Sequence, residues 1–99
     1  MLMHWPGATR EQYEAVRAIV KWDSDHPSGG KLHVVGFDDD GMHITDVWES
    51  EAHFDRFMQE RLAAGIEEVG LDGEPEVRFV PLSGVFAPAL DHPDQTETL

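Results

Sequence analysis

Two strand-like segments joined by an acidic turn lie near the middle of this 99-residue sequence. Residues 31–37 and 42–48 are both rich in β-branched and aromatic side chains, and the sequence Asp-Asp-Asp-Gly separates them at 38–41. Aspartate and glycine tolerate the backbone angles of a tight turn, so an Asp-Gly pair between two such segments is a strong hairpin signal. The sequence therefore predicts an antiparallel hairpin, which limits how the rest of the chain can be arranged.

Helical patterns flank the hairpin on both sides. Thr9 and Gln12 have the spacing of a capping box, in which each side chain satisfies a free amide of the first turn. Behind them, apolar residues recur at helical spacing and predict a helix over 10–22. Ser50 is a suitable N-cap for a second helix, whose apolar rhythm continues as far as Gly70. Each helix therefore lies on one side of the central hairpin in the sequence.

Strand-like segments at 1–5 and 77–82 complete the order β-α-β-β-α-β. This is the split βαβ, or ferredoxin-like, arrangement: an α+β fold with a four-stranded antiparallel sheet and two helices on one face. The apolar share of 40% suits one domain, which we place at residues 1–82. Residues 83–99 lose this pattern, and we expect an extended arm followed by a mobile tail.

Helices on one side leave the other face of the sheet bare. A bare apolar face in so short a chain predicts a homodimer that packs sheet against sheet. The predicted outward residues are Leu32, Val34 and Val47, with either Val77 and Phe79 or Val80 and Leu82, depending on the register of the last strand.

Composition argues against several classes of function. Twenty acidic residues against seven basic ones give a net charge of −13, which disfavours binding to nucleic acids or to anionic membranes. The absence of cysteine excludes disulfides, thiolate nucleophiles and Cys-ligated metals. No apolar stretch is long enough to span a membrane, and the first residues lack the features of a signal peptide, so we expect a cytoplasmic protein.

Residues 46–57, Asp-Val-Trp-Glu-Ser-Glu-Ala-His-Phe-Asp-Arg-Phe, carry a resemblance to a known superfamily. They resemble the end of the third strand and the start of the second helix in the dimeric α/β-barrel superfamily. The Trp-Glu-Ser sequence before an aromatic-rich helix is most similar to the antibiotic biosynthesis monooxygenase-like branch. The resemblance covers about residues 1–82 and implies that two ferredoxin-like units form a dimeric α/β barrel. Cofactor-free oxygenases, haem-degrading enzymes, polyketide cyclases and lactone isomerases all share this fold, so it does not fix one activity.

The aromatic side chains of this segment allow two interpretations. Trp48, Phe54 and Phe57 are either core residues, or some of these rings line a pocket between the sheet and the helices. In relatives that bind haem or flat polyketides, an aromatic residue of the second helix matches Phe57. Haem-degrading relatives place a histidine nine residues later, where this chain has Ile66. The resemblance therefore argues against haem, and we expect no cofactor.

The register of the hairpin decides whether His33 and Asp46 can form a pair. A two-residue turn makes the numbers of opposed residues sum to 79, which sets His33 beside Asp46 on one face of the sheet. Alternation along the strands adds Val35, Ile44 and Trp48 to that face. A one-residue bulge would give a sum of 80 instead and would put His33 and Asp46 on opposite faces.

His33 and Asp46 are the predicted catalytic residues. A carboxylate orients an imidazole and stabilises its protonated form, so the pair suits acid–base chemistry in an apolar setting. The alternative is a structural hydrogen bond, or an aspartate bonded to a helix amide. The predicted substrate-binding residues are Trp48, Phe57, Val35 and Ile44.

We predict no metal site. None of the six histidines shows the spacing of a metal-binding pair on one helix. His4, His33 and His43 could meet across three strands, but His33 and His43 share a face only in the bulged register. The acidic turn at 38–41 lacks the rest of an EF-hand calcium loop.

Two hypotheses for function remain. The first is an enzyme resembling the cofactor-independent antibiotic biosynthesis monooxygenases, in which His33, oriented by Asp46, removes a proton from an aromatic or polyketide-like substrate. A cyclase or isomerase of the same superfamily would use the same proton transfer. The second is a non-catalytic module that binds a small hydrophobic ligand or only dimerises.

Overall fold

The computed structural model describes residues 1–88 and has an α+β fold. Its elements, in chain order, are β1 (Leu2–Pro6), α1 (Arg10–Val20), β2 (Gly30–Asp38), β3 (Gly41–Trp48), α2 (Glu51–Phe57), a π-helical segment (Met58–Leu62), α3 (Ala63–Val69) and β4 (Glu76–Arg78). The strands form one antiparallel sheet in the order β2-β3-β1-β4, which is compatible with a ferredoxin-like fold. The predicted α+β class and four-stranded antiparallel sheet are confirmed. Residues 89–99 of the predicted tail lie outside the described residues.

The central hairpin has the two-residue-turn register. His33 pairs with Asp46 and Val35 pairs with Ile44 across β2 and β3. The irregularity lies at the other end of the hairpin, next to Gly30, which pairs with Trp48. At the turn, Gly41 has a φ of +122°, and a Cβ there would collide with the backbone of β1, so glycine is required. The bulged register is therefore wrong for the pair of interest.

Helix α1 begins with the predicted capping box but ends two residues earlier than predicted. Thr9 accepts a hydrogen bond from the amide of Gln12, and the Gln12 side chain accepts one from the amide of Thr9. Lys21 adopts a left-handed conformation (φ 59°) and donates its N–H to the carbonyl of Arg17, which closes the last turn. Trp22 therefore lies beyond the end of the helix rather than in its last turn.

The second helical segment runs from the Ser50 cap to Gly70. Ser50 accepts a hydrogen bond from the amide of His53, and Gly70 ends the segment at a φ of 77°. Between α2 and α3 the chain forms the π-helical segment, which the sequence analysis does not predict. Gly65 of α3 is buried against α1, where a Cβ would lie 2.9 Å from a methyl group of Val20. This glycine lets the two helices approach closely.

One face of the sheet contributes the hydrophobic core. The buried core cluster that joins this face to the helices consists of Met3, Trp5, Ala8, Tyr13, Met42, Ile44 and Phe54. Tyr13 comes from α1 and Phe54 from α2, so both helical segments pack on this face. The opposite face carries the alternate residues, such as Val34, which is 53% exposed.

Strand β4 is shorter than the predicted 77–82. Because β1 begins at Leu2 and Leu2 pairs with Arg78, the residues after Arg78 have no partner in β1. Beyond that point, Val80 and Leu82 remain exposed.

The pairing of β4 also decides which residues face outward. Val77 pairs with Met3 and so belongs to the helix-facing side, and the Phe79 ring packs 5.6 Å from that of Phe54. Of the two predicted outward sets, Val80 and Leu82 therefore fit this register.

Within residues 1–88, no helix is long and apolar enough to cross a bilayer.

Candidate functional site

A cavity of about 530 Å³ lies between the helix-facing side of the sheet and the helical segments. This volume falls within the range of about 300–1,000 Å³ that is usual for small-molecule sites. Its lining includes every residue that the sequence analysis assigned to catalysis or substrate binding: His33, Val35, Ile44, Asp46, Trp48 and Phe57. The fold therefore brings the six predicted site residues to one cavity.

His33 and Asp46 are joined directly across the hairpin. Nδ1 of His33 lies 2.7 Å from Oδ1 of Asp46, and the two side chains are 31% and 8% exposed. Among the described residues, Asp46 is the one charged residue that is buried. A carboxylate in such a position needs hydrogen-bond donors, because burial without them costs several kcal/mol.

Trp48 supplies the second donor to this carboxylate. Its indole Nε1–H donates to Oδ2 of Asp46 at 3.0 Å. Each carboxylate oxygen therefore accepts one hydrogen bond from a ring N–H, which fixes the orientation of the group. Asp46 and Trp48 are two residues apart on β3, so strand alternation places both side chains on the same face.

Tyr13 completes the chain of hydrogen bonds from the opposite side. Its hydroxyl lies 2.9 Å from Nε2 of His33, and the two ring planes are nearly parallel, at 6°. Since Nδ1 faces the carboxylate and carries the proton, the neutral imidazole accepts at Nε2 from the tyrosine hydroxyl. Burial raises the pKa of Tyr13 to about 12, which keeps this hydroxyl protonated. The sequence does not identify Tyr13 as a site residue, although Tyr13 lies within the helix predicted over 10–22.

Trp22 is a second site residue that the sequence analysis missed. Its ring lies 5.3 Å from that of His33 and 5.5 Å from that of Tyr13, so the three rings form a triangle at one side of the cavity. This position is possible because α1 ends at Val20 and releases Trp22 from the helix. The helix predicted over 10–22 includes Trp22, so that prediction does not place the Trp22 ring beside His33.

Arg61 of the π-helical segment holds the loop that follows α1. Its Nη2 donates to the carbonyls of Val20 at 2.6 Å and Asp25 at 2.8 Å. Its guanidinium also lies over the ring of Phe57, 5.3 Å from the centroid. Because the loop contributes Trp22 and its neighbours to the cavity, Arg61 fixes the wall on that side.

The remaining predicted residues form the apolar part of the lining. The Trp48 ring lies 5.5 Å from the ring of Phe57 and 5.5 Å from that of Phe54. Val35 and Ile44 face each other on the sheet below. Trp48, Phe54 and Phe57 are therefore both core residues and cavity walls, and the two interpretations of the aromatic segment are compatible.

Two further histidines, His4 and His43, lie on the face of the sheet opposite to His33. His4 and His43 stack at 4.5 Å, and Nε2 of His43 lies 2.9 Å from Asp38. His33 does not share their face. In the part of the chain that the structure describes, no three His, Asp or Glu side chains are placed to hold a metal ion. At the position where the resemblance would put a haem-ligating histidine, Ile66 lines the cavity instead.

The arrangement combines an apolar, ring-lined cavity with one chain of polar groups, running from Tyr13 through His33 to Asp46 and Trp48. Such a chain can accept one proton at His33 and balance the charge with the carboxylate. Comparisons of the chain with protein-family models, with curated proteins and with solved structures found no match. The geometry of this cavity is therefore the main support for a function.

Proposed function

We propose that this protein is a cofactor-independent enzyme that removes a proton from an aromatic or polyketide-like substrate held in the cavity. The observation that carries the proposal is the 2.7 Å contact between His33 and the buried carboxylate of Asp46 at a cavity lined by aromatic rings. Burial of the carboxylate makes its interaction with a protonated imidazole stronger than it would be in water. The resemblance of residues 46–57 to the antibiotic biosynthesis monooxygenase-like branch favours the same activity.

In the proposed step, a substrate O–H or acidic C–H bond breaks and an N–H bond forms at Nε2 of His33. The products are a substrate anion and an imidazolium whose charge Asp46 balances. Trp48 holds Asp46 in place by its hydrogen bond to Oδ2. In a monooxygenase the anion then reacts with dioxygen, whereas in a cyclase or isomerase it attacks another carbon. A substrate that fills this apolar cavity displaces water, which would otherwise reprotonate the anion.

A panel of naphthols and dihydroxynaphthalenes, mixed with the purified protein, tests this function. Oxygen uptake would assign a monooxygenase, and a product formed without oxygen uptake would assign a cyclase or isomerase. His33→Gln should abolish either reaction, because the amide cannot accept a proton at neutral pH. His43→Gln is the matched control, since His43 also contacts an aspartate but lies on the other face of the sheet. Equal loss in both variants would contradict the assignment.

The second candidate is a non-catalytic module that binds a small hydrophobic ligand. One observation favours it: both nitrogens of His33 already have hydrogen-bond partners, as in a structural histidine. Calorimetric titration with the same aromatic compounds distinguishes the two functions. Saturable binding with no product from any of them would support the module.

A homodimer that packs sheet against sheet is part of the proposal. The outer face and the chain after β4 expose large apolar side chains: Leu2, Val34, Val80, Leu82, Val85 and Phe86, which is 97% exposed. Burying such a side chain contributes about 1.5–3 kcal/mol, and a twofold axis lets one patch cover its own copy. The net charge of −13 opposes association, but salt screens charges beyond about 8–10 Å.

Sedimentation in moderate salt tests the dimer. We expect a mass near 22 kDa, twice the 11.1 kDa of the chain. Val34→Asp puts a charge in the apolar patch and should give monomers, whereas Ala18→Asp, on an exposed position of α1, should not. A wild-type monomer at micromolar concentration would refute the dimer without affecting the proposed chemistry.

A further inference from the structure

The hydrogen bonds around His33 leave neither of its nitrogens free for a ligand. Nδ1 donates to Asp46 at 2.7 Å, and Nε2 accepts from the hydroxyl of Tyr13 at 2.9 Å. The side chain of His33 is 31% exposed, but contact with its ring carbons does not transfer a proton to a ring nitrogen. A substrate in the cavity therefore needs another polar group through which to reach His33.

The hydroxyl of Tyr13 is that group. Tyr13 lines the cavity beside Trp22 and His33, so its side chain borders the space that a ligand would fill. A phenolic oxygen that donates its proton to one partner keeps a lone pair with which to accept a hydrogen bond from another. Tyr13 can thus bond His33 and a ligand at the same time.

We propose that Tyr13 is a catalytic residue that relays the proton from a phenolic substrate to His33. The relay depends on the proposed function of the cavity. The substrate O–H bond breaks as a new O–H bond forms at Tyr13, and the original proton of Tyr13 moves to Nε2 of His33. The products are a substrate phenolate, a neutral tyrosine and an imidazolium next to the carboxylate of Asp46.

The relay also specifies the class of substrate. The proton must enter through a hydrogen bond to the Tyr13 oxygen, and hydroxyl groups form such bonds much more strongly than C–H groups. The substrate that fits is therefore a planar aromatic molecule with a free hydroxyl, which points at Tyr13 while its rings contact Trp22 and Trp48.

The environment of Tyr13 agrees with a relay rather than with a standing base. Burial raises the pKa of Tyr13 to about 12, against a smaller opposite effect of Arg17. The hydroxyl is therefore protonated throughout the neutral range. A group in that state can pass a proton on as it receives another, but it does not remove one by itself.

The test measures ionisation of a bound phenol. The probe is 4-nitrophenol, whose phenolate absorbs visible light and whose neutral form does not. In the wild-type protein, we expect the bound probe to ionise at a pH where the free probe is mostly neutral. Tyr13→Phe keeps the ring and removes the hydroxyl, and it should lower the ratio of bound phenolate to phenol by about tenfold, which is one pKa unit. Binding of the neutral probe should persist.

The outcomes separate the relay from the proposed function. If Tyr13→Phe ionises the bound probe as well as the wild type does, or better, then the Tyr13 hydroxyl is not needed for ionisation and the relay is wrong, while proton removal stands. If the wild-type protein does not ionise the bound probe, both proposals are wrong. His33→Gln should not ionise the bound probe, whether the proton reaches His33 through Tyr13 or directly.

A second measurement does not depend on a substitution that could disturb folding. The sequence contains one tyrosine, so growth on 3-fluorotyrosine labels Tyr13 alone. Contact between 4-nitrophenol and the Tyr13 hydroxyl should shift the single fluorine resonance, and the shift should saturate with binding. A resonance that does not move when the cavity is saturated would overturn the relay.

Discussion

Two histidine–aspartate pairs lie on opposite faces of the same hairpin and differ in what surrounds them. The inner pair joins His33 to Asp46 at 2.7 Å, and the outer pair joins His43 to Asp38 at 2.9 Å. The bonded atoms are therefore almost equally close. The inner carboxylate, however, is 8% exposed, and the outer one is 56% exposed.

The difference lies in the remaining partners of each group. The carboxylate of Asp46 accepts a further bond from Trp48 and sits among apolar side chains, where charges interact strongly. The carboxylate of Asp38 accepts a bond from the amide of Asp40 in the turn and is largely exposed to solvent. A contact between histidine and aspartate can therefore act in acid–base chemistry on the buried face, whereas on the exposed face it only joins two residues next to a turn.

The largest effect that we expect in this comparison is on folding stability. Asp46→Ala leaves the N–H groups of His33 and Trp48 without their acceptor in a partly buried site. Each lost bond of this kind costs about 1–3 kcal/mol, so the free energy of unfolding should fall by about 3 kcal/mol. Asp38→Ala should lower it much less, because this carboxylate is exposed and water replaces most of the lost bonds. Urea denaturation of both variants measures the difference, and equal losses would refute it.

Asp46→Asn separates stability from chemistry at the same position. The amide oxygen can accept from Trp48, and the amide NH₂ can donate to Nδ1 of His33. That arrangement moves the imidazole proton to Nε2, where it blocks proton uptake. We therefore expect a nearly wild-type free energy of unfolding and no ionisation of bound 4-nitrophenol. Ionisation at the wild-type level would show that the carboxylate is not needed.

The second expected effect is a loss of stability in alkali that depends on Tyr13. Burial raises the pKa of Tyr13 from 10.0 to about 12. The unfolded chain therefore loses the phenolic proton first, and the contribution of this group is full below pH 10 and is lost as the pH rises through about 12. Tyr13 is buried, so solvent screens this contribution little, and at about 1.4 kcal/mol per pKa unit it amounts to about 2 kcal/mol.

The tyrosine signal gives the measurement directly. With one tyrosine in the sequence, the phenolate absorbance of the folded protein reports the pKa of Tyr13 alone. The free energy of unfolding of the wild type, minus that of Tyr13→Phe, should decrease between pH 10 and 12. A difference that stays constant over this range would contradict the raised pKa.

The inner pair was accessible from the sequence because it depends on local rules. The acidic turn sets the register of the hairpin, the register sets His33 opposite Asp46, and strand alternation adds Trp48 to the same face. One uncertainty, a possible bulge, could not be resolved from the residues. In the structure the irregularity falls next to Gly30, away from the pair.

The rest of the site was not accessible because it depends on packing between elements. Tyr13 and His33 are 20 residues apart, and their contact requires that α1 dock on the sheet at one position and angle. Trp22 reaches the cavity only because Lys21 takes a left-handed conformation, which lysine rarely adopts. The π-helical segment that carries Arg61 has the same apolar rhythm as an α-helix, so its wider turn leaves no clear sequence signal.

The smallest expected effect concerns the outer pair and is an acid titration. The hydrogen bond from His43 is the largest cause that lowers the pKa of the Asp38 carboxyl below its ordinary value of 3.8, and the amides of Asp40 and Gly41 add to it. A lowered pKa stabilises the fold above the ordinary aspartate range, and this contribution is lost as the pH falls through the lowered pKa. In His43→Gln, the pKa of Asp38 should rise toward its ordinary value, as read from the carboxyl ¹³C shift by NMR, while ionisation of 4-nitrophenol in the cavity stays unchanged. If the pKa of Asp38 remains low in His43→Gln, the turn amides rather than His43 lower it. The contact between His43 and Asp38 then has no measurable effect on this carboxyl.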